Sequence, residues 1–264
     1  MGRRVATVGT MSIRLAANIS MLFREHGFAD RITAAADAGF PAVECQFPYE
    51  VEADVLAARL AQAGVPMIGL NTTPGDRFGS AAVPGLEARF REDFQLALRY
   101  AQAMDTRAIH VMSGVPDAPR DAARETFLAN LRWAAEVAPA DMTLLIEPLN
   151  SRDRPGYFVS RSDEVVELLT DLACPNVKVM FDLYHVQIME GDLITRLARH
   201  FAHIGHVQIA SVPGRHEPDE GEICLDGVFT ALEAQGWGGY VGAEYNPRGD
   251  TVGGLGWAEP WLAR

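Results

Sequence analysis

Four polar residues stand out because each comes at the end of an otherwise apolar run. Glu147 follows Thr-Leu-Leu-Ile, Asp182 follows Val-Lys-Val-Met-Phe, Gln208 sits in His-Val-Gln-Ile-Ala, and Glu244 follows Tyr-Val-Gly-Ala. Three carboxylates brought to one place repel each other, so such a cluster either takes up protons or binds a cation. Three carboxylates and one amide oxygen make an all-oxygen ligand set, which suits Mg²⁺ or Mn²⁺ better than Zn²⁺ or Cu²⁺. An α-hydroxy carbonyl compound would chelate such an ion through its two neighbouring oxygens. Acting as a Lewis acid, the ion would polarise the carbonyl and stabilise the enediolate left when the adjacent C–H proton departs. A carboxylate beside such an ion would take and return that proton.

This chemistry requires elements that bring the four residues together. Short β-rich runs alternate with longer helical segments along the chain, and the runs number eight: 14–20, 42–47, 66–71, 108–112, 143–148, 177–182, 206–210 and 240–245. Between them, Leu86, Phe90, Phe94, Leu98 and Ala101 recur at helical spacing, as do Phe127, Leu131 and Ala135 with Leu128 beside them. Ser160 followed by Asp163 resembles an N-cap arrangement, and Gly39 and Gly64 stand where helices should stop. Alternating strands and helices imply a parallel sheet. The repeat count of eight and the lack of a glycine-rich phosphate loop after any strand favour closure into a single (β/α)8 TIM barrel, α/β in class and spanning residues 1–264. In such barrels the active site forms at the C-terminal ends of the strands. A lone carboxylate there is as often a helix cap or a salt-bridge partner; four polar groups on consecutive strands, the fifth to the eighth, are harder to explain that way.

The bulk composition agrees with this architecture. The chain has 264 residues, 48% of them hydrophobic, enough for a large core and for one barrel. No apolar run approaches a membrane span, and Met1–Thr10 does not read as a signal peptide. Three widely spaced cysteines form no C-x-x-C pair, which points to a reducing compartment, the cytoplasm. With 23 Lys and Arg against 35 Asp and Glu the net charge is -12, and no basic cluster offers a nucleic-acid groove.

Further blocks carry a resemblance: Ala-Ala-Asn-Ile-Ser-Met-Leu-Phe (16–23), Asn-Thr-Thr-Pro-Gly-Asp (71–76), Ile-Glu-Pro-Leu-Asn (146–150) and Phe-Asp-Leu-Tyr-His (181–185). To these are added His-Val-Gln-Ile-Ala (206–210), Gly-Arg-His-Glu-Pro-Asp-Glu-Gly-Glu-Ile (214–223) and Glu-Tyr-Asn-Pro-Arg-Gly (244–249). Over nearly its whole length the chain resembles the hydroxypyruvate isomerase family of the xylose-isomerase-like barrels. The resemblance implies a metal site of Glu147, Asp182, Gln208 and Glu244, with the two glutamates doubling as the acid/base pair. Related epimerases have a histidine where this chain has Gln208. Many family members carry lysine after the Glu-Tyr pair, where this chain has Asn246, so a four-carbon 2-oxo sugar acid stands beside hydroxypyruvate as a substrate. A small homo-oligomer is also implied.

Around this core, Arg215 is placed to grip a substrate carboxylate, His185 to meet a substrate oxygen, and Asn71 to line the pocket. His110 is read as a buried or pocket-edge residue, and Glu217 and Glu222 as solvated or orienting groups. Trp257 and Trp261 are expected to pack the C-terminal tail. The competing readings are a ketose 3-epimerase or inosose dehydratase on the same scaffold, a metal-dependent nuclease of the endonuclease IV type, and a non-catalytic sugar-acid binding protein.

Overall fold

The computed structural model describes residues 13–262; Met1–Thr10 lies outside them. The strands are β1 (Arg14–Asn18), β2 (Val43–Glu44), β3 (Leu70–Asn71), β4 (Ala108–His110), β5 (Thr143–Ile146), β6 (Val177–Asp182), β7 (Ile204–Ile209) and β8 (Tyr240–Ala243). All eight expected runs therefore contain a strand, although β2 and β3 are only two residues long. Their neighbours are parallel throughout, in the order β2-β1-β8-β7-β6-β5-β4-β3. The two ends of that order meet through backbone hydrogen bonds: Val43 N to Pro66 O (3.0 Å), Ile68 N to Val43 O (2.8 Å), Cys45 N to Gly69 O (3.1 Å) and Asn71 N to Gln46 O (2.9 Å). The barrel is closed.

Helices α1 (Asp30–Asp37), α2 (Ala53–Ala63), α3 (Glu87–Ala103), α4 (Arg120–Val137), α5 (Ser162–Leu172), α6 (Leu183–Met189), α7 (Leu193–His200) and α8 (Leu225–Ala234) lie outside it. The apolar stripes bury as their spacing demands: Phe90, Phe94, Ala97 and Ala101 on α3, and Phe127, Leu128, Leu131 and Ala134 on α4. Gly64 ends α2 with a left-handed backbone, φ 70°, that suits a residue without Cβ. The cap expected at Ser160 is not there. Arg161 is the N-cap of α5 and makes no side-chain cap bond, while the Glu164 carboxylate accepts from Ser160 N at 3.0 Å.

Strand periodicity decides what faces inward, because alternate side chains point to opposite sides. Leu15, Ala17, Leu144, Ile146, Val179, Phe181, Val207, Ile209, Val241 and Ala243 form one buried set, packed beneath the helices. The other set faces the barrel axis: Asn18 on β1, Glu44 on β2, Met180 and Asp182 on β6, His206 and Gln208 on β7, and Gly242 on β8. The same parity brings Glu147 and Glu244, one residue beyond β5 and β8, to the mouth. At the C-terminus Trp257 is buried with its Nε1–H donating to the Tyr245 hydroxyl at 3.2 Å, and Trp261 packs edge-on against Phe229. No helix among the described residues is long and apolar enough to cross a membrane.

Candidate active site and cation centre

The four expected residues are all buried: Glu147 is 6% exposed, Asp182 0%, Gln208 3% and Glu244 4%. Asp182 and Gln208 are register partners on adjacent strands. Asp182 has two duties. As the N-cap of α6 its Oδ1 accepts from Tyr184 N at 2.9 Å, while Oδ2 turns to the cleft. The caution that a strand-end carboxylate is often a helix cap thus applies to one of its two oxygens.

Three oxygens on axis-facing side chains, Glu147 Oε1, Asp182 Oδ2 and Gln208 Oε1, are buried without a hydrogen-bond partner among the described residues. A buried polar atom left unpaired costs about 1–3 kcal/mol, so three together mark a place built for a ligand. All three are hard oxygens, the donor chemistry of Mg²⁺ or Mn²⁺. Glu147, Asp182 and His185 each offer an atom within 4.8 Å of the others. Glu244 lies beside this group with its oxygens turned to donors: Gln46 Nε2 (2.6 Å) and Asn18 Nδ2 (3.0 Å) on Oε1, and Arg215 Nη2 (2.7 Å) on Oε2.

The electrostatics record the crowding. Burial, reinforced by the charges of Glu244 and Asp182, holds Glu147 well above the usual carboxylate range. Burial pushes Asp182 up to about 7, with Arg215 opposing and Glu244 adding to it. Glu244 is also raised by burial, against the pull of Arg215. Each shift has the sign expected of carboxylates that share a dry site.

His185, near the start of α6, is a hydrogen-bond donor to the cleft. Its Nδ1 accepts the backbone N–H of Asn150 at 3.0 Å, which fixes the neutral ring as the Nε2–H tautomer. That Nε2 lies 3.6 Å from both Glu147 Oε1 and Asp182 Oδ2. A metal ligand would need the lone pair that this tautomer lacks, so the ring suits a substrate oxygen better than an ion. Burial, with the Arg215 charge beside it, holds the ring neutral, well below its ordinary range.

Arg215 does not stand free for a substrate. Its Nη2 bonds Glu244 and lies 3.6 Å from Asp182 Oδ2, and its buried Nε has no partner among the described residues. A second guanidinium, missed in the sequence, lines the same cleft. Arg154 stacks over the Phe78 ring at 3.9 Å and, among the described residues, its guanidinium bonds only the Asp153 carbonyl, at 2.9 Å. Asn71 lines the cleft as expected, and its backbone oxygen accepts from the Tyr49 hydroxyl. His110 is buried in the wall with Nδ1 3.5 Å from Glu147 Oε2, and burial lowers its pKa to about 3. Glu217 is buried and accepts from Arg248 N at 3.0 Å, an orienting role, whereas Glu222 is exposed. The larger omission is a polar group bonded to the site, Glu44, Asn18 and His206 beneath it and Gln46 in the cleft wall. Glu44 and Asn18 break apolar strand runs as Glu147 does, and the same test applied to the first two strands finds them.

Comparison with known proteins agrees with this architecture. The family model described as xylose isomerase-like TIM barrel matches residues 32–261. A 2-oxo-tetronate isomerase of Cupriavidus necator is 48% identical over 258 residues, covering 95% of this chain and 99% of its own. The hydroxypyruvate isomerase of Escherichia coli is 38% identical over 256 residues, covering 94% and 99%. Among solved structures, one titled AP endonuclease, family 2, from Brucella melitensis superposes with a TM-score of 0.93 at 46% identity, covering 96% of this chain and 100% of that one. A D-psicose 3-epimerase of Clostridium cellulolyticum, at 21% identity, TM-score 0.76 and 91% and 88% coverage, shares the fold.

Proposed function

The chain belongs to the xylose isomerase-like TIM-barrel family and stands with its sugar-acid isomerases, and from that premise we propose a specific reaction and set of roles. The enzyme moves a proton between C3 and C2 of a short 2-oxo-3-hydroxy acid. With hydroxypyruvate the product is tartronate semialdehyde. A 2-oxo-tetronate is the second reading, favoured by the 48% relative and by Asn246 where many family members carry lysine.

The observation that carries this reading is the pair of buried glutamates lining one cleft, with unpartnered oxygens on Glu147, Asp182 and Gln208 and the His185 N–H fixed beside Glu147 and Asp182. Glu147, Asp182, Gln208 and Glu244 would hold a divalent ion, Mg²⁺ or Mn²⁺. When bound, that ion supplies Lewis-acid polarisation of the carbonyl and positive charge to offset an enediolate. Glu147 and Glu244 leave strands three places apart around the barrel, so one removes the C3 proton and the other delivers a proton to C2. His185 Nε2–H donates to a substrate oxygen. Arg215 keeps Glu244 in place and presents Nε–H to the substrate, and Arg154 adds a second positive group that favours an anionic end. The oxygen-rich site and the net charge of -12 speak against a phosphodiester substrate. Three unpaired cysteines support the cytoplasm as the working compartment.

The test is incubation in D₂O with Mg²⁺ or Mn²⁺, first with hydroxypyruvate and then with 2-oxo-tetronates, followed by NMR. Deuterium incorporation with product formation, lost in Glu244→Gln, is the expected result. No exchange with any of these acids overturns the reading.

A further inference from the structure

Glu44 is a carboxylate sealed inside the barrel, 3% exposed, and it belongs to none of the groups that face the cleft. An isolated charge at such a depth is strongly disfavoured unless it is paired and hydrogen-bonded. Here every partner is a donor. Oε1 accepts from Gln208 Nε2 at 2.7 Å and from Asn18 Nδ2 at 3.0 Å, and Oε2 lies 2.6 Å from His206 Nε2. Three donors on two oxygens offset the cost of burying the carboxylate.

The bond to Gln208 has a geometric result. A carboxylate accepts and cannot donate, so it fixes which end of the amide faces it. Gln208 must turn its NH₂ down to Glu44, leaving Oε1 without a partner among the described residues, on the strand register-paired with Asp182. Asn18 carries the influence to a second position, since its Nδ2 also lies 3.0 Å from Glu244 Oε1. The neighbouring strand is shaped to admit the carboxylate. A Cβ on Gly242 would meet Glu44 Oε1 at 2.5 Å and Oε2 at 2.6 Å, and Gly242 is the register partner of Gln208. Its φ is not left-handed, so room for Glu44, and not backbone freedom, explains a glycine there.

We infer that Glu44 is a positioning residue for the cation centre, orienting the Gln208 amide oxygen directly and the Glu244 carboxylate through Asn18. Outer partners of this kind commonly change metal affinity by roughly 10- to 100-fold. The inference rests on the cation reading of the site, and the two can fail separately.

The experiment is Mn²⁺ titration of the metal-free protein, read by EPR as free ion, with no substrate present. Three chains are compared: wild type, Glu44→Gln, and the exchange Glu44→Gln with Gln208→Glu. In the single variant one amide oxygen faces three donors: it can accept from Gln208 and Asn18 only by setting its NH₂ against His206 Nε2, and in either orientation the charged acceptor that holds the Gln208 amide is lost. Mn²⁺ binding weakens by roughly 10- to 100-fold. In the exchange the donor sits at 44 and the acceptor at 208, the summed charge is unchanged, and a carboxylate oxygen again faces the ion. Binding returns to within about ten-fold of wild type, an outcome that general damage to the core does not produce. Wild-type affinity in Glu44→Gln overturns the inference, as does weak binding that the exchange fails to restore. If Glu44→Gln does not fold, the folded exchange variant decides by the same criterion. A wild type that binds no Mn²⁺ overturns the cation reading itself.

Discussion

The Arg215 guanidinium lies 2.7 Å from Glu244 and 3.6 Å from Asp182, so one cation of the chain already answers two carboxylates of the cluster. It offsets part of their repulsion and competes with a bound ion for the same oxygens. In Arg215→Met, breaking this largely buried pair removes about 3–5 kcal/mol of stability from the metal-free protein. Saturating Mn²⁺ recovers more melting temperature in the variant than in wild type. Paired thermal melts check this, and equal Mn²⁺ shifts would sink the idea of competition.

The pH dependence follows from Asp182, whose pKa is pushed from an ordinary 3.8 up to about 7. The folded chain therefore binds this proton more tightly than the unfolded chain. The stability it confers is fully present below pH 3.8 and is lost as pH rises through about 7. Glu147 and Glu244 are shifted in the same direction. Metal-free protein should thus melt lower at pH 7.5 than at pH 5.5, and the gain from Mn²⁺ should be larger at pH 7.5, where fewer protons must be displaced. A Mn²⁺ gain independent of pH would contradict the assignment.

His185 separates two roles by tautomer. As an N–H donor to substrate, its replacement in His185→Asn lowers kcat/KM by about 10²-fold and leaves Mn²⁺ affinity within a few-fold. Mn²⁺ affinity falling in step with kcat/KM would make the ring a ligand and reverse the reading.

Arg154 tests the anionic end. It is half-buried at the rim and bonds no carboxylate among the described residues. Arg154→Met is expected to raise KM for the acid by about ten-fold with kcat little changed, the mark of binding shared by ground and transition states. Steady-state kinetics decide; a kcat effect with constant KM would place the residue elsewhere in the reaction.

Gly242 probes the layer below. Gly242→Ala introduces one methyl group against the Glu44 carboxylate, at a cost of about 1–3 kcal/mol from overpacking. Mn²⁺ affinity should fall as well, although no ligand is altered. Melts and EPR titration on the same sample check both effects.

Much of this site is legible in the sequence because barrel geometry converts position along a strand into position in space. Glu147 and Asp182 end apolar runs and Gln208 interrupts one, and each presents a buried oxygen without a partner among the described residues. What escapes is set by contacts between distant strands. Glu44 lies 164 positions from Gln208 in the chain and bonds it in the fold. Arg215 looks like a free loop cation until its 2.7 Å bond to Glu244 is seen. Arg154 reaches the cleft from an irregular segment with no periodicity to betray it. Ser160 has the composition of a cap, but the helix starts one residue later than that role requires, after Arg161. Local propensity did not determine that boundary.

The two-residue strand β2 has little of its own to hold it. It pairs with β1 through only Ala17–Val43 and Asn18–Glu44, and its other side meets the 66–71 segment at the seam where the barrel closes. Yet it carries Glu44 and leads directly into Gln46, both bonded to residues of the cation centre. An ion held at that centre would couple its occupancy to the integrity of the seam. Amide hydrogens at Val43, Cys45 and Ile68 should exchange with solvent faster once the ion is withdrawn, while those of β6 and β7 hold their protection. The closing seam of the barrel is tied to its mouth through the side chains of Glu44 and Gln46.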